Sequence, residues 1–239
     1  MKEMQDTLLK IKTDPLAFLK AVVYKTLIAP IVYGRGNDYD AGKYWSDRFS
    51  KYGHSLKGVG NEALSEQDNQ KSYTAAAQIF IDLCTKEGVD FNNARVLEIG
   101  CGTGFYTRIL HDLGVKHYVG VDITDVLFSD LQQKFPDFQF MQKDVTADKI
   151  TGEFDLIVMI DVIEHIVNND KFTSAMENIK GCLAKSGVFI VAPLVQKQWR
   201  KLFYVTLWSF DDMKARFPGY HFGEPVLFRD GNIVAIRGK

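Results

Sequence analysis

The sequence predicts an α/β fold, an open and largely parallel sheet covered by helices on both faces. Three observations point there. A short apolar strand, Arg95-Val-Leu-Glu-Ile99, runs into a loop with glycine at 100, 102 and 104. Apolar strand-like runs then alternate with helical segments from Arg95 to Pro193, the pattern that builds parallel sheets with their ligand at the carboxyl ends of the strands. Finally, Glu224–Arg229 and Asn232–Arg237 flank Asp230-Gly231, and Asp-Gly between strand-like runs is the strongest short hairpin signal.

The first 90 or so residues precede this pattern. Pro15 to Tyr33 is strongly apolar but contains Lys20, Lys25 and Pro30, which disfavours a membrane-spanning helix. Early Glu3 and Asp6, with no small-residue cleavage site, disfavour a signal peptide. The expectation for residues 15–33 is an amphipathic helix packed on its own domain, with contact to a membrane surface or a hydrophobic partner as the alternative. In residues 44–52, Tyr44, Arg48 and Tyr52 recur at i, i+4 and i+8 beside Trp45 and Phe49, which suits either a lid or ordinary core packing. Gly53 to Gln70 is polar and glycine-bearing, expected as a mobile cover, and Ser72 to Cys84 reads as the helix leading into the sheet.

Alternate glycines after the first strand let the backbone press against a ligand, while the following helix, Phe105 to Leu113, points free N–H groups at it. The dinucleotide fingerprint needs glycine at 105, where Phe105 stands, so an NAD-using enzyme is disfavoured. The strand His117–Asp122 ends in a carboxylate at the interval expected for a residue that holds ribose hydroxyls, although Asp before Ile123-Thr-Asp-Val also suits a helix cap. Phe138–Met141 is a third strand, leading into Gln142-Lys-Asp144-Val145. Phe154–Ile160 is a fourth, nearly all apolar as a strand covered on both faces should be, and Val188–Ala192 a fifth, expected to stop at Pro193.

The run Glu98-Ile-Gly100-Cys-Gly102-Thr-Gly104 resembles the first motif of class I S-adenosylmethionine-dependent methyltransferases, over roughly residues 75 to 239. The resemblance implies a Rossmann-like, doubly wound, seven-stranded sheet ending in an antiparallel hairpin, with residues 1–74 as helical extension and lid and 75–239 as the cofactor-binding domain. It implies S-adenosylmethionine as cofactor, with S-adenosylhomocysteine as product. The implied cofactor residues are Glu98, Gly100, Cys101, Gly102 and Gly104, Asp122 with Ile123, Asp144 beside the adenine amino group with Val145, and Ile160. Tyr44 or Arg48 would meet the methionine carboxylate.

Past the fourth strand stand Asp161, Glu164 and His165. His165 is the candidate general base, with Glu164 beside it, and the competing reading is a histidine that only bonds backbone and shapes the loop. Asp161-x-x-Glu164-His165 also resembles the Glu-x-x-Glu-His metal element of small-RNA 2′-O-methyltransferases, but with Asp first and only His221 as a further ligand, so a divalent metal is disfavoured. Between Gln196 and Phe217, the residues Gln198, Trp199, Arg200, Tyr204, Trp208 and Phe210 suggest an aromatic acceptor wall, with Ser209 and Asp212 marking a helix start.

A formal net charge of −1 provides no basic field for nucleic acid, and the Asn-Pro-Pro-Tyr element of DNA-amine methyltransferases is absent. Cys84, Cys101 and Cys182 lack pairing spacings, which argues for a reducing, cytoplasmic setting. The expected function is methyl transfer to an oxygen or nitrogen of a small molecule. A non-catalytic cofactor-binding partner or regulatory protein is the alternative.

Overall fold

The structure, a computed structural model, describes residues 22–60 and 65–238 together with Leu16 and Leu19. Pro15 and most of the apolar run up to Ala21 lie outside the described residues, as do residues 61–64 of the expected cover and the side chains of Arg200 and Lys201. A helical stretch, Tyr24–Ile28 continued by Ala29–Val32, leads to α1 (Ala41–Tyr52), α2 (Leu56–Val59) and α3 (Glu66–Lys86). Each of these three helices starts where a short polar side chain accepts an otherwise unpaired backbone N–H: Asp40 from Lys43, Ser55 from Lys57, and Ser65 from Asp68. The Ser65 cap starts α3 at Glu66 rather than near Ser72. The stretch read as a mobile cover therefore carries α2 and the first turn of α3.

From here strands and helices alternate: β1 (Arg95–Ile99), α4 (Phe105–Asp112), β2 (His117–Asp122), α5 (Phe128–Lys134), β3 (Gln139–Gln142), β4 (Phe154–Ile160), α6 (Asn169–Cys182) and β5 (Leu183–Leu194). A small hairpin, β6 (Trp199–Leu202) and β7 (Val205–Leu207), precedes α7 (Phe210–Arg216). Last come β8 (His221–Phe222), β9 (Val226–Phe228) and β10 (Gly231–Arg237). The main sheet has the order β3-β2-β1-β4-β5-β10, parallel up to β5 and antiparallel at β10. Two short strands, β8 and β9, share the outer edge of β10, so the sheet is seven positions wide, as expected.

The alternation of β4 shows why the helices cover both faces. Leu156, Val158 and Ile160 pack with Phe80 of α3, Leu110 of α4 and Leu131 of α5, whereas Ile157 and Met159 pack with Phe172 and Met176 of α6. Each such fully buried side chain stabilises the fold by roughly 1.5–3 kcal/mol relative to exposure.

Three local expectations are corrected. β5 continues past Ala192 because Pro193 falls at a bulge, where Val191 pairs Val234 and Leu194 pairs Asn232, leaving no ladder bond for its missing N–H. The hairpin turn lies at Arg229-Asp230 instead of Asp230-Gly231, since Phe228 pairs with Gly231 and Arg229 takes a positive φ of 43°. The aromatic stretch before residue 217 is mostly core: Trp208 stacks on Phe172 at 4.0 Å and donates to the Ile166 carbonyl, and Phe210 is buried with it. Ser209 and Asp212 do form the expected helix start, as a reciprocal capping box.

Candidate active site

The cleft lies at the carboxyl ends of β1, β2 and β4. There the chain turns at Gly100, with φ +75°, and a Cβ at this position would stand 2.1 Å from Cγ2 of Val162. Gly104 takes φ +79° to begin α4, and its Cβ would meet Leu131 at 2.4 Å. Only glycine lets this loop close against β4 and α5 while its amides stay open toward a ligand.

Asp122 ends β2 facing the loop. It is buried, with Oδ2 accepting from the Gly102 amide at 2.9 Å and Oδ1 from the Thr124 amide at 3.2 Å. Each carboxylate oxygen keeps a further lone pair. Burial raises its pKa to about 6, against the lowering effect of those amides. Glu98 is buried more deeply. Its Oε2 accepts from Tyr118 Oη at 2.6 Å and Thr107 Oγ1 at 2.9 Å, and burial lifts its pKa to about 8, so it clamps α4 and β2 to β1 as a neutral acid near pH 7. Asp144 Oδ1 accepts from the Thr146 amide and hydroxyl, which fixes the turn after β3.

These residues share one cleft of about 1090 Å³, its open mouth included. Glu98, Gly100, Cys101, Gly102, Asp122 and Ile123 line it, and so do Asp144, Val145, Ile160 and His165. Cys101 is buried and burial pushes its thiol pKa up, which suits a lining position and not a nucleophile. Gly104, Glu164, Tyr44 and Arg48 are not brought to the lining. Arg48 donates to the carbonyls of Lys57, Gly58 and Gly60 and to Tyr44 Oη, fastening α2 onto α1. Tyr44 stacks on Tyr204 and meets Tyr33 and Tyr39 edge-on.

His165 sits in a short turn, Ile163–His165, after β4. Its Nδ1–H donates to the Tyr204 carbonyl at 3.0 Å, which leaves Nε2 as an acceptor, and Trp45 packs edge-on against the ring at 4.8 Å. Burial lowers its pKa to about 4, so the imidazole is neutral at ordinary pH. Glu164 Oε1 lies 4.0 Å from Nε2. Burial, then the neighbouring Asp161, pushes the Glu164 pKa well above the carboxylate range.

Arg229 was not singled out in the sequence. Among the described residues, Asp161 (φ 58°) and Arg229 (φ 43°) are the non-glycine residues with positive φ, and they form an ion pair. The guanidinium also lies 4.2 Å from the Tyr73 ring centroid. Its signal was the charged residue beside the Asp-Gly pair, where a tight turn can be held by a long-range contact. The buried Tyr73 Oη, Tyr106 Oη and Glu164 Oε2 have no hydrogen-bond partner, and both tyrosines line the cleft. A polar ligand would satisfy such atoms. His221 cannot complete a metal site, because it pairs with Arg237 at the opposite end of the sheet.

A glycine turn facing a buried carboxylate in the crevice of an open parallel sheet defines a nucleoside-binding, doubly wound α/β protein. Residues 62–220 match the family model described as a methyltransferase domain, and the chain belongs to that family. No curated protein matches the sequence. Among solved structures, magnesium protoporphyrin IX methyltransferase from Synechocystis, with bound S-adenosylmethionine, aligns with a TM-score of 0.62 at 16% identity, over 83% of this chain and 98% of that one. An S-adenosylmethionine-dependent methyltransferase from Clostridium acetobutylicum aligns at 0.58 and 15% identity, over 80% and 99%. The 1,6-didemethyltoxoflavin-N1-methyltransferase of Burkholderia thailandensis aligns at 0.59 and 15%, over 83% and 89%.

Proposed function

We propose that this protein transfers a methyl group from S-adenosylmethionine to an oxygen or nitrogen of a small molecule. The observation that carries the reading is the convergence of Gly100, Gly102, Asp122 and Asp144 on one cleft, with unpartnered buried hydroxyls at its far side. The cofactor fits this lining: Asp122 has lone pairs for ribose hydroxyls, Asp144 stands where an adenine amino group would be met, and the loop amides face the remainder. When bound, the sulfonium supplies an electrophilic methyl group.

The chain's own residues orient the acceptor. An in-line displacement gains most from alignment, which Trp45 and His165 provide by walling the cleft. His165 Nε2 accepts a hydrogen bond from the acceptor hydroxyl or amine. With a pKa of about 4 the ring is a weak base, so its part is to orient the acceptor through that hydrogen bond, which suits an acceptor that ionises readily and gives its proton to solvent. Glu164, protonated by its burial, supports that histidine from the side.

In this reading residues 1–74 form the cover and 75–239 the transfer domain, with α3 continuous across the join. A cytoplasmic setting is supported by three buried, free cysteines. Nucleic acid is not the acceptor, in keeping with a net charge of −1. The test is isothermal titration with S-adenosylhomocysteine, beside Asp122→Ala and an NAD control. Binding lost in the variant and absent for NAD is expected; equal binding by the variant would refute the cofactor site.

A further inference from the structure

The helical stretch before α1 leaves outside the side chains that its sequence makes apolar. Ala29, Pro30 and Tyr33 are buried, whereas Leu27 is 58% exposed, Ile31 82%, and Tyr24, Ile28 and Val32 between 43% and 47%. The expected packing of an amphipathic helix on its own domain thus accounts for only one narrow side. The β6–β7 hairpin lies beside it: Tyr33 meets Tyr44 edge-on at 5.2 Å, and Tyr44 stacks on Tyr204 at 4.9 Å. Asn37 and Trp199 face one shallow cleft, and Trp199 is 51% exposed.

Charge separates the possible occupants of this face. Residues 15–36 contain Lys20, Lys25 and Arg35 with no Asp or Glu, and residues 195–210 contain Lys197, Arg200 and Lys201, again with no Asp or Glu. Both segments are thus cationic in sequence within a chain of formal net charge −1; Lys25, Arg35 and Lys197 stand half-exposed or exposed on them, and Asp170 is the acidic residue that lines the same shallow cleft as Trp199. A second copy of the chain would bring the same cations against one another, which costs binding energy. An anionic bilayer would match both features, with aliphatic side chains at the acyl boundary, Tyr and Trp at headgroup depth and cations at the phosphates. Among the described residues no helix is long and apolar enough to cross a membrane, so the helix would lie on the surface.

We propose that the helical stretch Tyr24–Val32 and the β6–β7 hairpin form a docking surface for an anionic phospholipid bilayer. The same segment runs on into Gly36 and Tyr39, which line the cleft, so the lipid-facing element and the cleft wall are one continuous piece of chain.

The test is co-sedimentation of the full chain with phosphatidylcholine vesicles, with and without phosphatidylglycerol, at low and high salt. Expected is sedimentation that needs phosphatidylglycerol and weakens with salt. The double variant Leu27→Asp/Ile31→Asp should lower partitioning about tenfold or more, with an unchanged melting temperature, because both side chains are exposed. Should that variant melt early, Lys197→Glu with Trp199→Ala gives the same reading from the second segment. Three results would overturn the proposal: no sedimentation of the wild type at low salt, variants that sediment as the wild type does, or a wild-type dimer that the double substitution dissociates while vesicles bind neither. None of these readouts depends on methyl transfer.

Discussion

The two walls of the cleft are made of different material. The wall beneath Asp122 is mostly main chain: glycine φ angles, loop amides and one carboxylate held by two of those amides, all within a single strand–helix–strand unit. The opposite wall is side chain, assembled from distant parts of the sequence: Trp45 from α1, Tyr73 from α3, and Asp161 and His165 after β4, with Arg229 of the last hairpin held against Asp161 and Tyr73. A backbone wall is specified locally, whereas a side-chain wall holds only if every long-range pair forms. Substitutions should therefore act differently on the two.

Arg229→Met should have the largest destabilising effect. It removes the cation that faces half-buried Asp161; breaking a fully buried pair from one side costs about 3–5 kcal/mol, and this part-exposed pair should cost about half of that or more. For a chain of this size each kcal/mol lowers the melting temperature by about 2–4 °C, so a fall of about 5 °C or more is expected in a thermal scan. Adding Asp161→Asn should recover part of it, since the stranded charge is then gone. A single variant that melts with the wild type would show that the pair does not hold this wall together.

His165→Asn comes next, and it reads catalysis rather than stability. Loss of the hydrogen bond that orients the acceptor should lower kcat about 10²-fold. S-adenosylhomocysteine affinity should hold, because the nucleoside contacts belong to the other wall. Since burial keeps the imidazole neutral above about pH 4, the wild-type rate should not decline on account of His165 until the pH approaches 4. Equal losses in kcat and in nucleoside affinity would instead give His165 a purely structural part.

A smaller effect tests the backbone wall through Asp122. Its carboxylate offers all its lone pairs to amides and ribose hydroxyls only while ionised, since a proton turns one oxygen into a donor, and burial places its pKa at about 6. Affinity for S-adenosylhomocysteine should be level above that pH and fall about tenfold for each unit below it, as one proton competes. In Asp122→Asn the affinity should be weaker and the slope absent. Titrations at several pH values would decide it, and a wild-type affinity flat down to pH 5 would remove Asp122 from the ribose role.

The same division explains how much could be read from sequence. Glycine spacing, the apolar strands and the terminal carboxylate are short-range signals, and the parallel sheet and its main-chain wall follow from them. Arg229 carries no local mark beyond its place beside the Asp-Gly pair, because its partner Asp161 is far away in sequence. Trp208 and Phe210 looked like a ligand wall because aromatic content alone does not separate core from cleft; their burial against Phe172 and α7 does. Arg48 illustrates the opposite case, where helix spacing correctly put it beside Tyr44 but could not tell that α2 carbonyls would take its donors.

Glu98 is the side-chain exception within the backbone wall, and it offers the most specific test, because its effect vanishes at low pH. Its folded pKa of about 8 lies above the ordinary glutamate value of 4.5, so the native chain holds a proton that the unfolded chain releases between those limits. The stability that this proton contributes is complete below about pH 4.5 and is lost as the pH rises through 8. Both Tyr118 and Thr107 donate to Oε2, a place the carbonyl of a glutamine can fill, and glutamine never ionises. Glu98→Gln should therefore lie within about 1 kcal/mol of the wild type near pH 5 and exceed it at pH 8 by about 4 kcal/mol, on the order of 10 °C in melting temperature. Melting curves for the two proteins that stay parallel from pH 5 to 8 would mean that Glu98 is already ionised in the fold. The clamp between β1, β2 and α4 would then be a charged one, and the main-chain wall would depend on side-chain electrostatics as much as the wall opposite.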